Sequence, residues 1–188
     1  MTKRNFYMKL LIASDIHGDL EGAEKIIKEY SERKCDKIVL LGDLLYHGPR
    51  NDLPSSYAPK KVINLLNAHK EAILSVRGNC DTEVDQMVLN FPILADYAYI
   101  NDGKISLFIT HGHWFNLDTP PILNQNDVLV HGHTHLITAD KTEGGNLCIN
   151  PGSVSLPKGG NPKSYAVYED GVFSIYDFDG NVLKAVNT

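Results

Sequence analysis

Five short segments of this 188-residue chain concentrate side chains able to bind a metal or move a proton. They are Asp15-Ile16-His17, Gly42-Asp43, Gly78-Asn79, His111-Gly112-His113 and Gly132-His133-Thr134-His135. Together they offer two carboxylates, an amide oxygen and several imidazoles, a borderline-hard set suited to Mn²⁺, Fe or Zn²⁺ rather than Ca²⁺. Taken singly, each is weak. A lone Asp-x-His is more often a turn aspartate beside a surface histidine, Gly42-Asp43 reads as a turn signal, and Gly78-Asn79 as a left-handed turn. The run from His131 to His135 is stronger, because imidazoles packed this closely repel when protonated and are reconciled by a metal. Five of the eight histidines (His111, His113, His131, His133 and His135) fall within 25 residues.

Each segment directly follows a predicted strand, where α/β proteins build their sites. Residues 9–14 and 37–41 are short apolar runs of the buried parallel type. Between them Leu20, Ala23, Ile26, Ile27 and Tyr30 recur at helical spacing after Asp19, a candidate N-cap. A second helix is predicted over 58–69 and a third strand over 72–76, completing β-α-β-α-β. The second half is strand-rich. Segments 97–100 and 104–110 flank the hairpin signal Asn101-Asp102-Gly103, and strands follow at 128–130, 146–149, 164–168 and 172–177. The glycines let the backbone turn sharply at strand ends, so that the next side chain points into a shared space.

With 43% apolar and 22% charged residues the chain is globular in composition, and at this length it buries roughly 70% of its unfolded surface without staples. Cys35, Cys80 and Cys148 form no C-x-x-C pair, which disfavours a disulfide framework or a thiolate zinc cage. The net charge of −5 disfavours nucleic-acid or membrane binding by charge alone. The apolar stretch near the N-terminus, Leu10-Leu11-Ile12-Ala13, is too short for a signal peptide, and no run approaches a membrane span. The expectation is one cytoplasmic α/β domain over 1–188, with 1–7 as an extension.

The ordered series D-x-H, G-D, G-N, H-G-H, G-H-T-H resembles the calcineurin-like metallophosphoesterase superfamily, in particular its small bacterial and archaeal phosphodiesterases. The likeness runs from Asp15 to Asn150-Pro151-Gly152-Ser153. It implies two stacked mixed β-sheets flanked by α-helices, with a two-metal site at the strand ends. By motif position, Asp15, His17 and His135 would hold one metal and Asn79, His111 and His133 the other, with Asp43 bridging. The implied activity is phosphodiester hydrolysis by in-line attack of a hydroxide bridging two divalent ions, Mn²⁺ foremost, with Fe, Co²⁺, Ni²⁺ or Zn²⁺ also suited. By formal charge, two divalent metals, two aspartates and a hydroxide leave about +1, which attracts a phosphoester despite the overall −5.

One position departs from the pattern. Many relatives carry a histidine after the G-N asparagine, paired with the next acidic residue, to steady the transition state or assist the leaving group; here Asn79 is followed by Cys80-Asp81. A neutral thiol donates poorly and carries no positive charge, so diesters or good leaving groups are expected over alkyl monoesters. The bland alternative is a small buried residue. The loop His47-Gly48-Pro49-Arg50-Asn51 must lie near Asp43, so His47 or Arg50 could touch a small phosphoester substrate, against the alternative of a turn with a solvated arginine. His113 and His131 are read as supports for their ligand neighbours. The competing functions are a phosphomonoesterase or protein phosphatase on the same site, and a non-catalytic scaffold of the same fold, whose members tend to lack some of these histidines. Symmetric association is common enough to expect a homo-oligomer.

Overall fold

The structure, a computed structural model, describes residues 8–188; the extension expected at 1–7 lies outside them. β1 (Lys9–Ala13), β2 (Lys37–Leu40) and β3 (Ile73–Ser75) run parallel, joined through α1 (Leu20–Glu32) and α2 (Pro59–Ala68). Being buried on both faces, these strands read as unbroken apolar runs rather than alternating ones. Leu11, Ala13, Ile38 and Leu40 meet Ala23 and Ile26 of α1 and Val62 and Leu66 of α2. Leu10, Ile12, Val39 and Leu41 face the other way, toward a second sheet.

After a short α3 (Glu83–Gln86), the chain is all strand: β4 (Tyr97–Asn101), β5 (Ser106–Thr110), β6 (Val128–Val130), β7 (Ile137–Lys141), β8 (Leu147–Pro151), β9 (Ser164–Glu169), β10 (Val172–Asp177) and β11 (Val182–Asn187). One sheet has the order β11-β10-β9-β1-β2-β3 and the other β4-β5-β6-β8-β7. Both are mixed, because β9 joins β1 antiparallel while β5, β6 and β8 run parallel. The two stack through an aliphatic layer in which Leu107, Ile109, Val130 and Ile149 meet Leu10, Ile12 and Val39.

The expected pair of stacked mixed sheets is therefore present. The helices α1 and α2 cover the outer face of the six-stranded sheet. On the five-stranded sheet that place is taken by Phe115, Leu117 and Leu123, which pack on Phe108, Leu129 and Cys148. The N-cap expected of Asp19 is not made by its side chain. That carboxylate instead accepts from Lys163 Nζ at 2.7 Å and from Ser56 Oγ, tying α1 to the loops around it. No helix among the described residues is long and apolar enough to cross a membrane.

Candidate metal centre

The loops leaving β1, β2, β3, β5, β6 and β8 meet at the seam between the sheets. Two glycines permit a close approach of the β2 and β3 loops. A Cβ on Gly42 would lie 2.4 Å from the Gly78 nitrogen, and one on Gly78 would lie 2.1 Å from Asp43 Oδ1. Five of the seven expected ligands, Asp15, His17, Asp43, His133 and His135, themselves hold positive φ angles between 49° and 66°. Non-glycine residues in this left-handed region are uncommon and cluster at functional sites, where surrounding contacts hold them. Those contacts are present. The Asp15 carbonyl accepts from Ser153 Oγ at 3.0 Å and Ser155 Oγ at 2.7 Å, while Asn150 Nδ2 donates to the Gly132 carbonyl at 2.8 Å. The Asn-Pro-Gly-Ser turn thus bolts the β1 loop to the β6 loop.

The imidazoles are oriented from behind. His17, His111 and His135 each place Nδ1 within 2.7 Å of a backbone carbonyl, of Tyr46, Leu41 and Leu156 respectively. Donation from Nδ1 leaves Nε2 as a bare lone pair. The His17 and His135 Nε2 atoms then face each other at 3.4 Å. His111 Nε2 lies 3.1 Å from Asn79 Oδ1 and 3.2 Å from His133 Nδ1.

Each carboxylate has one oxygen fixed and one free. Asp15 Oδ2 accepts from Ser14 Oγ at 2.6 Å and from the His133 N–H at 3.0 Å, whereas its buried Oδ1 has no hydrogen-bond partner. Asp43 Oδ1 accepts from the Cys80 N–H at 2.8 Å, and Oδ2 sits between His17 Nε2 (3.7 Å) and His111 Nε2 (3.5 Å). Lone pairs converging at this density suit a cation. An orphaned carboxylate oxygen with His₂-carboxylate donors fits a divalent metal, and Asp15, His17 and His135 bring ligand atoms within 4.8 Å of one another, as do Asp15, Asp43 and His111.

The electrostatics agree. Burial alone would raise the Asp15 and Asp43 pKa values, but the surrounding histidines hold both carboxyls below the usual range. Burial would lower His111, yet the Asp43 hydrogen bond and the charges of Asp15 and Asp43 lift it to about 9. A cation, whether a proton or a metal, is therefore held there at neutral pH. Burial, reinforced by His111, depresses His133 to about 4, leaving it neutral as a ligand must be.

Asp81 lies beneath this cluster. Its Oδ2 accepts from the Asp43 and Gly78 N–H groups, both at 2.8 Å, and its Oδ1 from the Leu44 N–H at 2.9 Å. With its hydrogen-bonding capacity turned toward backbone, it positions the two ligand loops. Cys80 borders the cavity, and burial together with the Asp43 charge pushes its thiol up to about 12. His47 packs edge-on between Tyr46 and Tyr57, 4.8 and 5.5 Å between ring centroids, away from the cavity wall that Arg50 joins. His131 is buried behind the ligands, its Nδ1 3.0 Å from the Gly132 carbonyl, and His113 touches the rings of His111 and His133.

The site opens into a cavity of about 430 Å³. Asn51, Thr134 and Lys158 line it as well; the first two belong to segments marked in the sequence, whereas Lys158 does not. Lys158 had a signal: it follows the Asn-Pro-Gly-Ser turn in a further strand-end loop, after β8. A larger cavity of about 780 Å³ has aliphatic walls of Leu10, Val39, Leu74 and Ile100 and contains no histidine or cysteine among its described lining.

The calcineurin-like phosphoesterase superfamily domain matches residues 8–170. The phosphodiesterase YfcE of Escherichia coli is 51% identical over 168 residues, covering 89% of this chain and 91% of that protein. A probable metallophosphoesterase of Bacillus subtilis, YsnB, is 28% identical across 94% of this chain and 95% of its own length. The solved structure of the E. coli phosphoesterase YfcE superposes with a TM-score of 0.92 at 49% identity, covering 96% of this chain and 99% of that one.

Proposed function

The chain belongs to the calcineurin-like phosphoesterase superfamily and is a metal-dependent hydrolase of phosphoester bonds, and from that premise we propose that it cleaves phosphodiesters at a centre of two divalent ions. The observation that carries the reading is the free Asp43 oxygen, flanked at 3.7 and 3.5 Å by one nitrogen from each of two ligand clusters. Asp15, His17 and His135 would hold one ion and Asn79, His111 and His133 the other, with Asp43 available to both. Two divalent ions, when bound, activate a water for in-line attack and neutralise charge developing on the phosphoryl oxygens.

The chain's own contributions are orientation and charge. Carbonyl acceptors fix three imidazoles with Nε2 inward, and backbone and hydroxyl donors leave one oxygen of each aspartate free. The Cys80 thiol, with its pKa near 12, stays protonated and neutral, and so brings no positive charge to a departing alkoxide. That supports diesters and good leaving groups as substrates, as does the name of the 51% identical relative. Mn²⁺ is the proposed ion, for which the carboxylate and amide oxygens are suited, while the imidazoles suit Fe, Co²⁺, Ni²⁺ or Zn²⁺ as well.

Metal stripping, reconstitution with Mn²⁺, Fe, Co²⁺, Ni²⁺ or Zn²⁺ singly, and assay of aryl and alkyl mono- and diesters test this. Aryl diesters should be cleaved fastest. Alkyl monoesters cleaved faster would overturn the diester reading, and no hydrolysis with any metal would favour a binding protein instead. Asp43→Asn should lower kcat/KM by more than about 100-fold and reduce bound metal by elemental analysis. Retention of activity would exclude the shared-ligand assignment.

A further inference from the structure

The cavity over the metal centre has a charge excess that a simple diester does not use. Arg50 reaches its wall from the loop after β2, and Lys158 from the loop after β8. Neither side chain has an acidic partner among the described residues, and Asp43 is the only carboxylate in the described lining. Both loops are held. The Lys158 N–H donates to the His135 carbonyl at 3.2 Å, and its own carbonyl accepts from the Asn161 N–H (3.1 Å) and Nδ2 (2.7 Å). Asn51 Nδ2 closes the other loop onto the His47 carbonyl at 2.7 Å.

The formal count of about +1 at the centre already balances the single negative charge of a diester. Two further cations on fixed loops therefore match about two further negative charges, those of a phosphate monoester. No Phe, Tyr or Trp ring is among the described lining, so the wall offers nothing on which a nucleobase could stack. A volume of about 430 Å³ accommodates more than one phosphoryl group and falls in the range of small-molecule sites, roughly 300–1,000 Å³. The overall charge of −5 disfavours a long polyanion.

We propose that Arg50 and Lys158 form a second anion subsite, and that the preferred substrate is a small phosphodiester carrying a separate terminal phosphate. The inference rests on the diesterase reading. Its test compares p-nitrophenyl propyl phosphate with p-nitrophenyl 3-phosphopropyl phosphate on reconstituted enzyme. It also compares binding of propyl phosphate and propane-1,3-diyl bisphosphate by calorimetry. The phosphorylated ester should be favoured by about tenfold in kcat/KM, mainly through KM, with the preference falling as salt is added. Lys158→Ala and Arg50→Ala should each reduce that preference several-fold, and Lys158→Arg should retain most of it. A wild-type enzyme without the preference, or a preference intact in both alanine variants, overturns the subsite. Cleavage of neither ester would instead sink the diesterase reading. The calorimetric ratio would then decide the subsite alone, a tighter bisphosphate weakened by Lys158→Ala supporting it and equal affinities refuting it.

Discussion

Asp81 shows how one carboxylate can govern a site from outside it. Three backbone N–H groups, from Asp43, Leu44 and Gly78, point at its two oxygens within 2.9 Å. Burial and the Asp43 charge raise its pKa to about 6, while those donors oppose the rise. Asparagine is isosteric but has a single acceptor oxygen, so Asp81→Asn would turn an amide N–H₂ toward at least one backbone N–H. Leaving a buried donor unpaired costs about 1–3 kcal/mol. The variant should melt lower and retain less metal, as read by thermal unfolding and elemental analysis. Unchanged metal content would show that the loops hold their shape without the clamp. Gly78→Ala makes a harsher test of the same contact, since its Cβ would lie 2.3 Å from the Asp43 nitrogen. It should lose metal outright, whereas a Cβ on Gly103 meets nothing within 4 Å, so Gly103→Ala should lose stability through its φ of +90° while keeping its metal.

At the scale of elements, α1 is fastened to the six-stranded sheet by polar as well as apolar contacts. Glu29 accepts from Lys25 Nζ and Arg33 Nε, both at 2.7 Å, and from the Tyr165 hydroxyl of β9 at 2.6 Å. Burial would raise its pKa, but these three partners hold it down at about 2, against 4.5 for a free glutamate. A depressed folded-state pKa gives stability that is present above about pH 4.5 and is lost as pH falls toward 2. Its size is on the order of 2 kcal/mol. Glu29→Gln should therefore lower Tm by about 4–8 °C at pH 7, with the gap to wild type narrowing between pH 5 and pH 3. A gap independent of pH would mean that packing rather than charge fastens the helix. The helix α1 was legible in the sequence because its apolar residues meet a buried face at a fixed period, and β1 because it is an unbroken apolar run buried on both faces. β7 and β11 were not, because each ends a sheet and buries no residue fully, so no apolar run or alternation marks it. The candidate ligands stood out by their strand-end positions, but the orienting carbonyls of Tyr46, Leu41 and Leu156 have no sequence signature. The left-handed backbone at Asp15, His17, Asp43, His133 and His135 was equally hidden, since the sequence placed the sharp turns on glycine alone.

For the molecule as a whole, the metal centre is also the clasp between the two sheets. Asp15, His17, Asp43 and Asn79 leave strands of the six-stranded sheet, while His111, His133 and His135 leave strands of the five-stranded one. Protein contacts already cross this seam, among them His111 Nδ1 to the Leu41 carbonyl and the His133 N–H to Asp15 Oδ2. The apolar layer between the sheets holds them together, but at their rim it leaves crowded nitrogen and oxygen lone pairs that repel one another. Ions bound there would convert that repulsion into bonds anchored on both sheets, and ions that bind only the folded chain stabilise it by mass action. At a free concentration one hundred times Kd, a single site adds about 2.7 kcal/mol, or about 5–10 °C in Tm for a chain of this length. Thermal unfolding after chelation, followed by back-titration with Mn²⁺, should show a rise of that order that grows with metal concentration. In His135→Ala, which removes a proposed ligand contributed by the five-stranded sheet, the rise should be smaller. A midpoint indifferent to metal would mean that the seam is already rigid, and that the clasp serves catalysis without serving the fold.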